Sequence, residues 1–419
     1  MAPLIGRLLR ITGPGLLLAA LAIGVSHLVQ STRAGAEFGF QLVGLVIAVN
    51  LAKYPFFEYG HRYAAATGES LLHGYRRLGR GAIIAYLILH VVVSVIGIAA
   101  IVFVTAALGQ NLLGVGPGPT VMSAMLIAGC IALIIAGRFR GLDLVIKVMV
   151  ALLVLTTTVA LAAAVWNGPV AAEDFSGSSP WHVANLGFLI ALMGWMPATI
   201  EVSVFQSLWF VARDAATGRR TSLAEARFDF NLGYGLTLVS AVVFVGLGAL
   251  VMYGPGTDFA GSNLGFASQF VGLYASTLGE WIRPIISVIA LMAMLTTTLT
   301  SIDASPRSLA VAQGLLQGRP PRNPARLHAM WMIGVGLAAL VIIFAFRSRF
   351  TQLIDLVTTI SFLIAPVFAY LNMRVLRSDE VPVEARPGPV LRGMAIVGMI
   401  FLVGFGLAYA VVRFGSIAG

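Results

Sequence analysis

Residues 13–40 read GPGLLLAALAIGVSHLVQSTRAGAEFGF, a membrane-length apolar run whose centre, Gly24-Val25-Ser26-His27, is a poor place to keep a helix regular. Lipid cannot satisfy backbone N–H and C=O groups released from a helix, so a broken span must turn its break toward protein or a polar cavity. A second interruption lies in residues 186–209, LGFLIALMGWMPATIEVSVFQSLW, where Gly194 and Pro197 flank Met196. Two matched breaks point to a transporter built from repeats, with the breaks as candidate substrate sites.

The rest of the chain agrees with a membrane origin. Hydrophobic residues make up 58% and charged residues 11%, against about 25% charged in a soluble domain. A span needs about 20 mostly apolar residues, and eleven such segments start near residues 14, 42, 82, 118, 144, 183, 232, 283, 327, 352 and 391. The expected fold is an all-α integral membrane protein. The longest polar connections, residues 61–81, 166–182, 213–229, 254–268, 303–326 and 376–390, are too short for a separate globular domain. Residues 1–419 are therefore read as one domain.

Basic residues set the orientation, because positively charged loops stay cytoplasmic. With the N-terminus inside, Arg7, Arg10, Arg76, Arg77, Arg138, Arg140, Arg219, Arg220, Arg319, Arg322, Arg374 and Arg377 all fall in cytoplasmic segments. Arg33, Arg283, Arg347, Arg349 and Arg413 fall outside, and Lys53 and Lys147 lie within spans. This alternation places the C-terminus outside, as expected for a prokaryotic inner-membrane protein. The net charge of +10 sits in short loops without a basic tail or an aromatic-studded groove. It reads as orientation signal and contact with anionic lipid, not as a nucleic-acid surface. The first apolar run exceeds a signal-peptide core and is expected to stay as span 1. The single cysteine, Cys130, allows no intrachain disulfide and no cysteine metal cluster.

Breaks in spans 1 and 6 imply two five-span units, repeat one about 11–166 and repeat two about 180–376, with an extra helix about 389–413. An odd number of spans inserts the second unit upside down, the inverted-repeat logic of many secondary transporters.

Around these breaks the sequence resembles the NRAMP family of divalent-metal transporters. The likeness is carried by Gly13-Pro14-Gly15 before span 1, Arg33-Ala34-Gly35-Ala36-Glu37-Phe38-Gly39-Phe40 after it, and Ala66-Thr67-Gly68 after span 2. Met196-Pro197 in span 6 and Thr296-Thr297-Thr298-Leu299-Thr300 in span 8 complete it. The resemblance implies a LeuT-type arrangement with broken helices 1 and 6, moving a divalent metal by alternating access. Departures from the family pattern are specific. Asp-Pro-Gly-Asn at the first break becomes Gly24-Val25-Ser26-His27, removing the metal-binding carboxylate. Met-Pro-His at the second becomes Met196-Pro197-Ala198. The acidic residues of span 3 that serve proton coupling are missing, since Gly81 to Leu142 holds no Asp or Glu.

The candidate substrate-binding residues are Gly24, Val25, Ser26, His27, Met193, Trp195, Met196, Glu201 and Thr358. His27 offers an imidazole to a transition metal, although a hydrogen-bonded bundle histidine is its bland counterpart. Met196 offers a thioether selective for softer metals, yet methionine is also a common gap filler. Glu201 either replaces the lost carboxylate or complements the positive end of the resumed half-helix. Those three form the candidate metal set. Ser26 is expected to cap the outer half-helix, and Met193 matches a position where the family offers a backbone carbonyl.

Coupling or gating falls to Lys53, Glu58, His90, Thr297 and Asp355. Lys53 lies deep enough in span 2 to need a partner. A direct pair with Glu58 requires distortion at Pro55, because five residues apart on a straight helix point about 140° apart. Asp355 is expected to pair with Arg349 or a loop arginine. No cofactor is expected beyond a transported metal and a coupling H+ or Na+, and the partners are membrane lipid and a small solute or ion, with the chain a monomer. The alternative reading is a transporter of a small organic solute, amino-acid-like or anionic, held by half-helix ends. With no convergent nucleophile and base, and no His-rich metal motif, an enzyme is not expected.

Overall fold

A computed structural model describes residues 13–114, 116–137, 143–172, 175, 177–254, 259–318 and 322–415. The expected basic positions Arg7, Arg10, Arg138, Arg140 and Arg319 lie outside the described residues, and the side chain of Lys147 is not described. Each of the expected spans meets a helix, and no strand occurs among the described residues.

Span 1 is α1 (Pro14–Ala22), a π-helical turn (Ser26–Ser31) and α2 (Thr32–Phe38). Span 2 is α3 (Val43–Thr67), followed by the short α4 (Leu71–Leu78) and span 3, α5 (Arg80–Leu113). Spans 4 and 5 are α6 (Pro119–Ile135) and α7 (Asp143–Asn167). Span 6 is α8 (Leu186–Gly194) and α9 (Val202–Thr217), and span 7 is α10 (Leu223–Val251). After α11 (Asn263–Leu278) come α12 (Arg283–Gln317), α13 (Pro324–Ala345), α14 (Phe350–Val375) and α15 (Pro389–Gly415) as spans 8 to 11.

Two helices between the spans were not expected from the sequence: α4 lies inside the polar connection 61–81, and α11 begins in the connection 254–268 and runs on to Leu278. Helix α4 buries Leu71, Leu72 and Tyr75 and closes with Arg76 and Arg77, the mixed face of an amphipathic surface helix. Helix α11 buries Phe266, Phe270 and Tyr274 at four-residue spacing. Helix α10 begins nine residues before the apolar segment, because Ser222 and Glu225 form a reciprocal capping box that satisfies two orphan donors at once.

Helix α10 holds both halves of span 1 against itself through glycines. A Cβ on Gly15 would stand 2.0 Å from the Asp229 carbonyl oxygen, and one on Gly233 would stand 2.0 Å from that of Gly15. Further along, a Cβ on Gly35 would stand 2.1 Å from Val245 O and one on Gly248 would stand 2.3 Å from Thr32 O. The Asp229 carboxylate accepts from the N–H groups of Gly13 at 2.9 Å and Gly15 at 3.0 Å, capping α1 from a distant helix. Gly60 of α3 meets Ser203 O of α9 in the same way. Helices α1, α2, α3, α9 and α10 thus form one close-packed body, while α5 packs on α12, α13 and α6. Helix α15 contacts α3 and α14 and exposes Val397, Ile400, Leu407 and Val411, the lipid-facing surface its composition implies.

Candidate functional site

The first break is narrow. Helix α1 ends at Ala22, Gly24 turns, and the chain resumes at once as the π-helical turn from Ser26. The carbonyls freed at the end of α1 find side-chain partners: Thr297 Oγ1 donates to Ala20 O at 3.0 Å and Ser26 Oγ to Ala22 O at 2.7 Å. Ser26 therefore ties back to α1 instead of capping the outer half-helix, correcting the expected cap.

His27 is also placed differently from its expected role. Its Nε2 lies 2.9 Å from Thr237 O of α10, so that nitrogen must donate, and Nδ1 lies 2.8 Å from Ser26 Oγ. A metal ligand needs an imidazole lone pair aimed at the cargo's path; with Nε2 spent on Thr237 O, the remaining lone pair on Nδ1 faces Ser26 Oγ, and the ring does not line the central cavity. Met196 is fully buried in the apolar core with Met193, Leu192 and Phe205. Of His27, Met196 and Glu201 only Glu201 lines the central cavity, and no group of three or more His, Cys, Asp or Glu side chains suited to a metal occurs among the described residues.

The second break is wider, from Trp195 to Glu201, and its Met196–Pro197 peptide is cis. The end of α8 packs against α14 so closely that a Cβ on Gly194 would stand 1.9 Å from Thr358 O. Into this break reaches Lys53 from α3, fully buried. Its Nζ donates to Met193 O at 2.7 Å, Gly194 O at 2.8 Å and Ala198 O at 3.3 Å. An ammonium has three N–H donors, and all three are used. Met193 and Gly194 are the last residues of α8, so the cation also sits at the negative end of a helix. The partner predicted for Lys53 is thus main chain, not Glu58. Glu58 instead pairs with Arg62 one turn away, Nη2 to Oε1 at 2.6 Å, while Arg62 Nη1 donates to Ala385 O at 2.9 Å.

Beside the cage lies a cavity of about 70 Å³ lined from both bodies, room for several waters at about 10–15 Å³ each. Leu21, Ala22, Val25 and Ser26 face it from span 1, and Trp195, Pro197, Ala198, Thr199, Glu201, Val202 and Phe205 from span 6. Helix α5 contributes His90, Ser94, Gly97, Ile98 and Ile101, and α12 contributes Thr297, Ser301 and Ser305. Glu201 supplies the only carboxylate of that lining and precedes the first residue of α9, where negative charge suits the helix dipole. His90 Nε2 lies 3.2 Å from both Ser94 Oγ and Ser305 Oγ.

At the α2 end the path is shut. Arg33 Nη1 donates to Asp355 Oδ1 at 2.9 Å and Oδ2 at 3.0 Å. Its guanidinium also lies 4.7 Å from the centroid of Phe188, and Gln30 Nε2 reaches Asp355 Oδ1 at 3.3 Å and Thr358 Oγ1 at 3.4 Å. Trp195 Nε1 donates to Ser361 Oγ at 2.8 Å just beneath. Asp355 therefore pairs with Arg33 and not with Arg349, and Thr358 belongs to this closure, outside the cavity lining. Arg33 and Gln30 were missed as site residues. Their signal was present, as the basic and amide side chains of an otherwise apolar stretch leaving the first break.

Among proteins of known sequence, an uncharacterised protein of Pasteurella multocida is 37% identical over 401 residues, covering 95% of this chain and 91% of its own. Among solved structures, the manganese transporter of Eremococcus coleocola superposes with a TM-score of 0.68 at 14% identity, over 97% of this chain and 87% of that one. A nucleobase-cation-symport-1 family transporter, in a closed conformation with bromovinylhydantoin bound, superposes with a TM-score of 0.56 at 15% identity, over 96% and 92% of the two chains. Both likenesses concern the fold. The profile of the natural resistance-associated macrophage protein-like family matches residues 15–412, and the chain belongs to the Nramp family.

Proposed function

We propose that the chain is a secondary transporter, without enzymatic turnover, that moves a divalent metal ion by alternating access through this modified centre. The observation that carries the reading is the oxygen cage at the second break. Two main-chain carbonyls at the C-terminus of α8 and a third from the break hold a positive charge 2.7–3.3 Å away. Family membership and the fold shared with a manganese transporter support a metal as the cargo. Carbonyls with the Glu201 carboxylate nearby make an all-oxygen donor set, which suits manganese better than softer ions. The thioether of Met196 is not part of that set.

Several finer features belong to the same reading. The N-terminus lies in the cytoplasm and the C-terminus outside a prokaryotic inner membrane, the chain works as a monomer, and an ion such as H+ or Na+ drives it. Repeat one spans about 11–166 and repeat two about 180–376, with the Arg33–Asp355 closure on the outer side and the cavity reached from the cytoplasm. The deciding measurement is manganese uptake into proteoliposomes by wild type and Glu201→Gln. Saturable uptake that the substitution lowers at least tenfold fits the reading, while uptake indifferent to Glu201 removes the carboxylate from the site.

The alternative cargo is a small organic solute. Leu21, Val25, Ile98, Ile101, Val202 and Phe205 give the cavity a largely apolar wall, but its volume of about 70 Å³ is far below the roughly 300 Å³ at which organic-ligand pockets begin, so this reading is not favoured. Saturable uptake of a radiolabelled amino acid or organic acid, with no metal flux, would decide for it.

A further inference from the structure

We propose that Lys53 is a tethered occupant of a cation site, and that the cargo ion and the Lys53 ammonium exchange on the same carbonyls of Met193, Gly194 and Ala198. The inference rests on the metal-transport reading but adds to it a built-in competitor.

The geometry is that of an ion shell made of protein. The three carbonyl oxygens sit 2.7, 2.8 and 3.3 Å from Nζ, and among the described residues no carboxylate forms a salt bridge with Lys53. A buried ammonium ordinarily needs a counter-charge. Here it is held by charge-assisted hydrogen bonds to the end of a helix and to the break that follows it, with the Glu201 carboxylate on the wall of the adjoining cavity. The same oxygens would otherwise be freed backbone acceptors inside a membrane, and those must be satisfied. A donor or a cation at this place is therefore required in every state of the break, and Lys53 provides both when no cargo is bound.

Two consequences distinguish this role from simple packing. A dication entering the cage must expel the ammonium, so like charges at one place weaken cargo binding. After the cargo leaves, the ammonium returns and keeps the break formed, which allows the empty carrier to reorient without an ion in the cage.

The test uses purified full-length wild type, Lys53→Ala, Lys53→Met and Lys53→Gln in lipid nanodiscs. Thermal unfolding is followed with methylammonium chloride, manganese chloride or, as an ionic-strength control, choline chloride. Lys53→Ala leaves both the space and the carbonyls, so methylammonium is expected to raise its Tm toward that of wild type, leaving wild type unmoved. Lys53→Met fills the space without a donor and is expected to be destabilised and not rescued. Manganese is expected to bind Lys53→Ala and Lys53→Gln at least tenfold more tightly than wild type, and Lys53→Gln answers that question if Lys53→Ala is not recovered folded. Wild-type manganese affinity in Lys53→Gln, or a Lys53→Ala protein that no cation stabilises beyond the choline control, overturns the proposal. If wild type carries no metal while methylammonium rescues Lys53→Ala, the transport reading fails and the cation cage stands. If wild type carries manganese and the Lys53 variants change neither affinity nor rescue, the cage fails and the transport reading stands.

Discussion

Arg33 and Asp355 close the α2 end of the bundle by a single guanidinium nitrogen held between both carboxylate oxygens, at 2.9 and 3.0 Å. The pair joins α2, the second half of span 1, to span 10, and it separates the central cavity from the space beyond α2. Arg33 also bonds Glu37 at 2.7 Å, so it stays anchored to its own helix when Asp355 is lost. Both side chains are partly exposed, which limits the pair to about 1 kcal/mol, a factor of about five in the balance between closed and open forms. Asp355→Asn in a Cys130→Ser background carrying Ser361→Cys is expected to react about fivefold faster with a membrane-impermeant maleimide. Unchanged labelling would show that Phe188 and Gln30 keep the closure without the ion pair.

The Glu58–Arg62 pair is predicted to act on stability and not on coupling. Both side chains are buried, and Arg62 also holds Ala385 in the connection to α15. Removing one partner of a buried pair leaves an uncompensated charge and costs about 3–5 kcal/mol. Arg62→Met is expected to lose most folded protein on size-exclusion chromatography. Glu58→Gln/Arg62→Met, which removes both charges, is expected to recover much of it. A double variant no better than the single one would mean that Arg62 stabilises the fold mainly by holding Ala385.

Glycine pins separate packing from helix propensity. Gly15→Ala and Gly233→Ala each drive a Cβ to 2.0 Å from backbone oxygen, overpacking worth about 1–3 kcal/mol or more. Gly44 of α3 has nothing within 4 Å of its Cβ position, and alanine there gains up to about 1 kcal/mol of helix propensity. Thermal shift is expected to fall for the first two and hold or rise for Gly44→Ala. Equal effects at all three would mean that α1 and α10 are not held by close approach.

Much of the fold was legible because its signals are local. Apolar length fixed where each span lies, and Gly24, Gly194 and Pro197 marked both breaks. Helices α4 and α11 were hidden because their apolar stripes are shorter than a span. The site was only partly legible, since its contacts join residues far apart in the chain. Lys53 announced its need for a partner, but its partners are carbonyls of residues 193, 194 and 198, and a carbonyl carries no residue-type signature. His27 stood at the right place in the sequence, yet the π-helical turn from Ser26 carries its ring to Thr237. Arg33 was visible as a charge, while its pairing with Asp355 depends on how spans 1 and 10 meet.

Restoring the absent carboxylate is the most direct trial of the first break. A Cβ on Gly24 would lie 3.0 Å from Thr297 Cγ2 and 3.2 Å from Thr297 Oγ1, so Gly24→Asp fits if that one side chain rotates. The new carboxylate would stand at the C-terminal end of α1, where the helix dipole disfavours negative charge, and it would be buried without a partner. Gly24→Asp is therefore expected to lower the Tm in metal-free buffer and to regain it with manganese. Calorimetric titration is expected to show manganese affinity raised at least tenfold, about 1.4 kcal/mol, and further in Gly24→Asp/Lys53→Gln, where the ammonium no longer competes. If Gly24→Asp lowers the Tm but manganese neither restores it nor binds more tightly, the first break does not face the cargo, and the cage of span 6 must act without it.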